Sequence, residues 1–266
     1  MTPARKVFLP PLLSVLVPVY NERPTLETQL QRVLAVAVEK EIIVVDDGST
    51  DGTRELLCEL GGRLPIRALF HPANRGKGAA IRTALAEARG EIVIIQDADL
   101  EYDPGEIPML IAPIQRGETN VVYGSRYLVS GNDLPLTHFK VGVLTLNFVA
   151  NLLYGLRLTD EATCYKVFRA GLLKSLPLRC ERFEFCPEVT ARLARRGERI
   201  LELPISYHYR TRAQGKKIGW RDAFEALFAL LRSLHEVTLP RNDCCPWGAC
   251  PRARAVGSPA AVAWSA

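Results

Sequence analysis

The chain opens with short apolar runs that are separated by polar or amphipathic stretches. Residues 14–20, 41–46 and 91–97 each contain consecutive apolar positions, which is typical of strands buried on both faces. Residues 26–37 carry apolar side chains at helical spacing, and Gly90 ends a further helix before the third run. Strands that alternate with helices form a parallel sheet covered on both sides. We therefore predict an α/β fold with a mixed, mostly parallel sheet and helices on both faces.

Later elements follow a less regular pattern. They are helices at residues 104–115, 138–154, 186–196 and 220–235, and strands at residues 120–124, 164–168 and 200–207. The last helix has large apolar side chains on one face: Trp220, Phe224, Leu227, Phe228, Leu231 and Leu234. We expect this face to pack against the core. Earlier in the chain, Ser49 or Thr50 is expected to cap a helix that starts at Asp51.

The composition is that of an ordinary globular protein. Of 266 residues, 48% are hydrophobic and 24% are charged, with a net charge of +5, which excludes a disordered or collagen-like chain. Seven cysteines leave at least one thiol unpaired, which favours a reducing, cytoplasmic compartment. Residues 141–158 form the most apolar long stretch, but polar side chains interrupt it too often for a membrane span. We expect a soluble or peripheral protein.

Acidic and glycine-rich segments follow three of the predicted strands, at residues 20–22, 46–48 and 97–101. Ligands of open parallel sheets bind at the carboxyl ends of the strands. Asp, Asn and Gly are also ordinary turn residues, so any one segment has a second explanation. Three such segments at one edge of the sheet favour a functional site.

The segment that contains Asp97, Asp99 and Glu101 predicts the chemistry of that site most directly. Alternate residues that leave a strand point the same way, so these carboxylates can face one spot and repel each other. A hard divalent cation such as Mg²⁺ or Mn²⁺ relieves this repulsion and usually also holds substrate phosphates. The segment lacks His and Cys, which argues against zinc. For the glycine-rich segment 74–78, phosphate binding and simple packing remain equally open.

An ordered set of motifs carries a resemblance to a known family. The motifs are Pro18-Val-Tyr-Asn-Glu22, Val45-Asp-Asp-Gly-Ser-Thr-Asp51, Asn74-Arg-Gly-Lys-Gly78, Asp97-Ala-Asp99 and Gly124-Ser-Arg126. Together they resemble the inverting family 2 glycosyltransferases of the GT-A fold, in the branch of the dolichyl- and polyprenyl-phosphate mannosyl- and glucosyltransferases. Later matches include Thr159-Asp160, Cys164-Tyr-Lys166, Phe183-Glu-Phe-Cys-Pro-Glu188 and Gly215-Lys-Lys-Ile218.

The resemblance implies a domain organisation. A catalytic domain would cover residues 12–235, after an N-terminal extension at residues 1–11. Its nucleotide-sugar half would span residues 12–125, and its acceptor half residues 126–235. Beyond it, residues 240–266 are rich in Pro, Ala, Gly and Arg, which predicts a disordered tail.

The same resemblance implies the donor site. The residues that would bind a nucleotide sugar are Pro18, Tyr20, Glu22, Val45, Asp47, Asp97 and Ala98. Asp99 and Glu101 would hold Mg²⁺ or Mn²⁺, although many relatives have Gln at the second position. The donor would be of the GDP-mannose or UDP-glucose type. Loss of its diphosphate would be assisted by the metal and by nearby cations.

Catalysis and acceptor binding are implied for the second half. Asp99, Arg126 and Lys166 would be catalytic, with the two cations near the diphosphate or the transferred sugar. Arg210 and Lys217 would grip the phosphate of a polyprenyl phosphate acceptor.

The acceptor decides whether a general base is needed. A phosphate is already anionic and needs none, whereas a hydroxyl acceptor would need Asp160 or Glu188. For Glu188, a carboxylate at a helix N-terminus is the favoured interpretation. A phosphohydrolase that uses Asp97 and Asp99 is a rival from another class, but Glu101 stands where that chemistry wants a small hydroxyl residue.

Charge in the second half also bears on the acceptor. Residues 192–232 contain ten Lys and Arg against four Asp and Glu. A basic segment beside an amphipathic helix suits an anionic membrane surface and a lipid phosphate. Nucleic acid is a poorer partner, because no aromatic-interleaved basic motif accompanies the charge. We expect a cytoplasmic enzyme that is peripheral on the cytoplasmic face of a membrane.

Overall fold

The computed structural model describes residues 12–130, 132, 138–210 and 220–235. The predicted N-terminal extension, the predicted tail and Lys217 lie outside the described residues.

Its centre is a seven-stranded mixed sheet. The strands are β1 (Leu13–Val19), β2 (Lys40–Asp46), β3 (Arg67–Phe70), β4 (Ile92–Ile95), β5 (Val121–Ser125), β6 (Lys166–Arg169) and β7 (Ile200–Pro204). Their order across the sheet is β3-β2-β1-β4-β6-β5-β7. Strand β6 is antiparallel to both of its neighbours, and the other pairs are parallel. This is the mixed, mostly parallel sheet that the sequence predicts.

Helices lie on both faces of the sheet. They are α1 (Leu26–Ala35), α2 (Thr53–Arg63), α3 (Lys77–Glu87), α4 (Ile107–Gln115), α5 (His138–Tyr154), α6 (Ala170–Lys174), α7 (Phe185–Arg195) and α8 (Trp220–His235). A 3₁₀ turn, Pro104–Glu106, precedes α4. Because side chains alternate along a strand, β1 contributes residues to two hydrophobic cores, one on each face of the sheet. Val15 packs with α1, α2 and α4 on one face, whereas Leu16 packs with α3 and α7 on the other.

The start of α2 differs from the prediction. The helix begins at Thr53, and Gly52 occupies the capping position with a positive φ of 89°. The carboxylate of Asp51 accepts hydrogen bonds from the Thr53 amide at 3.0 Å and from its hydroxyl at 2.5 Å. The predicted cap at Ser49 or Thr50 is therefore wrong, because Asp51 supplies the acceptor from outside the helix.

Helix α8 packs in the opposite sense to the one predicted. Its buried face consists of the small Ala226 and Ala229 together with Leu230, and it contacts α5 and α7. Phe224 and Phe228 are 64% and 65% exposed. The expectation that the large apolar face packs against the core is therefore wrong for Phe224, Phe228 and Leu231, whereas Leu227 does pack against this cluster. The side chains of Trp220 and Leu234 lie outside the part that the structure describes. Within the described ranges, no helix combines the length and apolarity needed to cross a membrane.

Candidate functional site

A cavity of about 730 Å³ opens at the carboxyl ends of β1, β2 and β4. It brings together most of the residues that the resemblance implies for the site: Pro18, Tyr20, Glu22, Asp47, Asp97, Ala98, Asp99, Glu101, Arg126 and Arg210. The three polar segments that follow these strands therefore meet at one edge of the sheet, as the sequence predicts. They meet because parallel strands in register end together.

Asp47 holds the glycine-rich segment against the sheet. Its buried carboxylate accepts hydrogen bonds from the backbone amides of Arg75 at 3.0 Å and Gly76 at 2.7 Å. His71 Nδ1 lies 2.7 Å from the same carboxylate. Gly76 has a φ of 102°, and a Cβ there would lie 2.4 Å from the backbone oxygen of Glu181, so only glycine fits this close approach. This segment is thus tightly packed.

Lys77 nevertheless points its charge into the cavity from the first residue of α3. Its ammonium group lies 2.5 Å from Asp97 Oδ1 and 2.9 Å from Cys164 Sγ. Lys77 and Asp97 are 16% and 15% exposed at their side chains. A cation at a helix N-terminus beside a carboxylate pair can hold a phosphate. The packing role of this segment is confirmed. Phosphate binding stays a prediction, which the position of Lys77 favours.

Arg210 neutralises the acidic cluster. Its guanidinium donates to both carboxylate oxygens of Glu22, at 3.0 and 3.1 Å, and to Asp99 Oδ2 at 3.0 Å. Glu101 is engaged differently, because it accepts from the Tyr207 hydroxyl at 2.7 Å and from the Arg210 amide at 3.0 Å. Arg210 was expected at an acceptor phosphate, and in this structure its guanidinium binds the carboxylates of Glu22 and Asp99.

The electrostatics of this cluster favour a further positive charge beside Arg210 and Lys77. Burial, with the neighbouring carboxylates of Asp97 and Glu101, raises the pKa of Asp99 to about 7. Arg210 opposes this rise only in part. Within the described part of the chain, no three His, Cys, Asp or Glu side chains enclose a metal by themselves. A cluster of carboxylates that has excess negative charge and is open to the cavity suits a hard cation that also binds the substrate.

Arg126 reaches the cavity because Asp160 holds it there. Asp160 is fully buried and binds Arg126 through both carboxylate oxygens, each at 2.7 Å. The guanidinium carbon lies 5.0 Å from the centre of the Tyr207 ring. Two amides lock Asp160 further: its carboxylate accepts from the Arg126 amide at 3.0 Å, and its own amide donates to Glu202 at 2.9 Å. Asp160 is placed to orient Arg126 rather than to accept a proton from a substrate.

Lys166 and Val45 do not line the cavity. Lys166 is fully buried, donates to the backbone oxygen of Glu161 at 2.6 Å, and lies 3.5 Å from the centre of the Tyr123 ring. This position does not support a contact with a donor diphosphate. Val45 is also fully buried and packs under the sheet with Leu16.

Glu188 has a structural environment. It lies in the first turn of α7 and accepts from the amides of Arg179 and Cys180, at 3.0 and 2.8 Å. Arg192, one turn later, donates to it at 2.7 Å. This geometry confirms the interpretation of Glu188 as a carboxylate at a helix N-terminus, where it satisfies donors and the helix dipole.

The far wall of the cavity is apolar and comes from α5 and α8. It consists of Val141, Val143, Leu146, Phe224 and Leu227. The same two helices carry exposed apolar side chains, of which Val141 and Phe224 also line the cavity. They are Val141, Leu144, Phe148, Leu152, Phe224, Phe228 and Leu231. We call these seven residues the apolar helix face. In α5 these residues are spaced by three, four and four positions, which is typical of one face of a helix. Their exposure is seen only in the folded chain.

Several cavity residues were not singled out as site residues from sequence. Tyr207 bridges Glu101 and Arg126, and no motif marks it. Cys164 and Cys186 also line the cavity. Both lie within motifs that carry the family resemblance, but the resemblance implies no role for them. Lys77 had a signal, since it lies within a glycine-rich segment before a helix. Such contacts join elements far apart in the chain, which periodicity cannot detect.

Comparisons with known proteins agree with this geometry. The chain is 30% identical over 225 residues to dodecaprenyl-phosphate galacturonate synthase of Rhizobium johnstonii, covering 82% of this chain and 65% of the relative. It is 29% identical over 240 residues to UDP-N-acetylglucosamine–dolichyl-phosphate N-acetylglucosaminyltransferase of Methanococcus voltae, covering 83% of this chain and 95% of the relative. The chain thus spans less than two thirds of the first relative and almost all of the second.

A solved structure and a family profile complete the comparison. Glucosyl-3-phosphoglycerate synthase from Mycobacterium tuberculosis, in complex with Mg²⁺ and uridine diphosphate, superposes with a TM-score of 0.64 at 22% identity, over 84% of this chain and 79% of that chain. This likeness confirms the predicted fold. The sequence profile of Glycosyl transferase family 2 matches residues 14–176, more than half of the chain. Because this profile matches more than half of the chain, and the motifs lie around one cavity, the chain belongs to glycosyl transferase family 2.

Proposed function

We propose that this protein transfers a hexose from a nucleotide sugar to a polyprenyl phosphate at a membrane surface. The observation that carries the proposal is one cavity with two chemically different walls. One wall presents carboxylates and cations at the strand ends, and the other is apolar and comes from α5 and α8. A reaction between a charged donor and an acceptor with a phosphate head and a hydrocarbon tail uses both walls.

On the donor side, the polar wall fits a nucleoside diphosphate with a divalent cation. Asp99 and Glu101 would hold Mg²⁺ or Mn²⁺, with Asp97 and Lys77 beside them. A cation that keeps several waters needs only one or two protein carboxylates, so the open cluster suffices. When bound, the metal supplies electrostatic stabilisation of the leaving diphosphate. The mycobacterial structure described above contains Mg²⁺ and uridine diphosphate, which supports this assignment.

Arg210 then has two positions in the proposed cycle. Without the metal it balances the charge of Asp99 and Glu22. A cation held by Asp99 would supply that charge instead, and the Arg210 guanidinium would then be available to the acceptor phosphate. In this proposal Arg126, held by Asp160, stabilises charge that develops on the donor.

On the acceptor side, the structure favours a nucleophile that needs no base. Both carboxylates considered as a base, Asp160 and Glu188, are buried in ion pairs with arginines, and neither lines the cavity. A phosphate acceptor brings its own negative charge and attacks from the face opposite the leaving group, which inverts the configuration. Both relatives described above are named for polyprenyl phosphates, which supports the same acceptor class.

The apolar helix face supports peripheral attachment to a membrane. Its residues Phe148 and Leu152 on α5 are 67% and 69% exposed, and Phe224 and Phe228 on α8 are 64% and 65% exposed. Large apolar side chains exposed together on two packed helices are typical of an interaction surface. Because the same face continues into the cavity, a lipid could pass its phosphate to the polar wall while its chain stays in the bilayer. We propose attachment at the cytoplasmic face.

A product screen tests the function. The purified protein is incubated with each of several nucleotide sugars and Mg²⁺ or Mn²⁺, with and without a short-chain polyprenyl phosphate in detergent. We expect one nucleotide sugar to give a glycosylated lipid phosphate by mass spectrometry, with release of the nucleoside diphosphate. A matching polyprenol without the phosphate is the control and should give no product. Sugar transfer to the polyprenol instead would contradict the phosphate acceptor.

A further inference from the structure

Two thiols lie near each other in the lining of the cavity. Cys164 lies just before β6, and Cys186 lies in the first turn of α7. Each thiol is close enough to the other to shift its pKa. Cys186 Sγ is also 3.7 Å from the backbone oxygen of Thr163, the residue next to Cys164. Both cysteines are partly exposed and line the cavity.

We propose that Cys164 and Cys186 form an oxidation site, in which hydrogen peroxide converts the pair to a disulfide inside the cavity. The other two described cysteines lack this arrangement. Cys58 is an exposed thiol on α2. Cys180 lies beside Glu188, and burial together with this carboxylate raises the pKa of Cys180 to about 12. The cavity pair therefore differs from both in having an adjacent thiol as its partner.

The surroundings assign different parts to the two sulfur atoms. The neighbouring thiol of Cys164 lowers the pKa of Cys186, with help from the positive charge of Lys166. The thiol of Cys186, together with burial, raises the pKa of Cys164. We therefore assign the attack to Cys186 and the resolving step to Cys164. Lys77, 2.9 Å from Cys164 Sγ, is positioned to stabilise negative charge that develops there.

The chemistry needs only the oxidant and the two thiols. The Cys186 thiolate attacks one oxygen of hydrogen peroxide, the O–O bond breaks, and the products are a sulfenic acid and hydroxide, which takes up a proton to become water. Cys164 sulfur then attacks the Cys186 sulfur, loses its proton, and displaces the hydroxyl group as a second water. Two thiols are oxidised by two electrons, and the peroxide is reduced to two waters.

The consequence for the site rests on the proposed function. Cys164 Sγ contacts the ammonium group of Lys77, which also pairs with Asp97. A bond to Cys186 draws Cys164 away from Lys77 and ties the start of β6 to the first turn of α7 at the cavity floor. We expect oxidation to weaken binding of uridine or guanosine diphosphate with Mg²⁺ about tenfold, the loss of one charge-assisted hydrogen bond.

The test uses the full-length chain, with the tail cysteines replaced by serine in every sample: Cys244, Cys245 and Cys250. The protein is treated with hydrogen peroxide, alkylated and digested, and the peptides are identified by mass. We expect a peptide pair joined through Cys164 and Cys186 that dithiothreitol separates. Cys164→Ser and Cys186→Ser should each prevent it. Cys58→Ser is the matched control and should leave it unchanged.

Calorimetry with the nucleoside diphosphate and Mg²⁺ then compares the reduced and oxidised protein. A reversible, tenfold weaker affinity that needs both cysteines supports the proposal. Sulfinic acid on either cysteine without the linked peptide overturns the disulfide, and a linked protein with unchanged affinity overturns its effect on the site. If even the reduced protein binds neither nucleoside diphosphate, the proposed function fails, while the linked peptide still decides the oxidation site.

Discussion

The two walls of the cavity are built on opposite principles. On the polar wall, nearly every charge has a partner fixed by folding: Lys77 with Asp97, Arg126 with Asp160, and Arg210 with Glu22. On the apolar wall, the large side chains of the apolar helix face lie in solvent. The sheet thus preorganises the polar site, whereas the helix pair leaves large apolar side chains that the core does not cover.

The strongest test of the polar wall removes one charge from it. Asp99→Asn should lower sugar transfer more than a hundredfold, because the proposed metal loses a charged ligand. Binding of Mn²⁺, followed by electron paramagnetic resonance, should weaken in parallel, while thermal unfolding stays cooperative. Gln31→Glu on the exposed side of α1 is a control for charge change and should do neither. Full activity of Asp99→Asn, or of the wild type in excess chelator, contradicts the metal assignment.

Breaking the buried pair behind the wall should act on stability. Asp160→Ala leaves Arg126 without its partner in a largely buried position, so the free energy of unfolding should fall by about 3–5 kcal/mol. Urea denaturation measures this value. Glu59→Ala, in an exposed ion pair with Arg63, is the matched control and should change little. An Asp160→Ala protein of unchanged stability that loses only transfer to hydroxyl acceptors would show that Asp160 is a base after all.

The apolar wall is tested on lipid vesicles. Phe148→Ser and Phe228→Ser should each weaken sedimentation with vesicles that contain phosphatidylglycerol by roughly tenfold, since each removes one large side chain from the apolar helix face. Phe70→Ser is the matched control, because Phe70 is 41% exposed on β3 at the edge of the sheet. Equal loss in all three variants, or none in the two helix variants, would remove the apolar helix face as the membrane contact.

The pH dependence of binding should differ between the two walls. With a pKa of about 7, Asp99 is protonated below that pH, and a metal has to displace the proton. Mn²⁺ affinity should therefore fall about tenfold per pH unit below 7 and become level above it. Vesicle binding through the apolar helix face should not follow this curve. A Mn²⁺ affinity that is the same at pH 6 and pH 8 contradicts the expectation.

The smallest expected effect concerns Arg210. If its guanidinium competes with the metal for Asp99, Arg210→Ala should bind Mn²⁺ a few-fold more tightly than the wild type, about the value of one partly exposed ion pair. Transfer to polyprenyl phosphate should nevertheless fall, while slow hydrolysis of the nucleotide sugar persists. Weaker Mn²⁺ binding in this variant would show that Arg210 supports the metal site instead of opposing it.

Local pattern was enough to predict the order of strands and helices and the acidic ends of β1, β2 and β4. It succeeded because consecutive apolar residues and turn chemistry act within one element. The predicted bounds of α5 and α8 agree with the structure. Short elements were less predictable: α6 was not anticipated, and β6 begins two residues later than expected.

The roles of individual charges depended on contacts between distant segments. The sequence marked Asp160, Glu188 and Lys166 as candidates, and only the folded chain showed that each is buried against a structural partner. A buried charge needs a partner, but composition does not say which one. In the same way, the amphipathic pattern of α8 determined that it has an apolar face. Small residues opposite that face, packed on α5 and α7, decided that Phe224, Phe228 and Leu231 stay exposed, because close helix contact depends on side-chain volume on both surfaces.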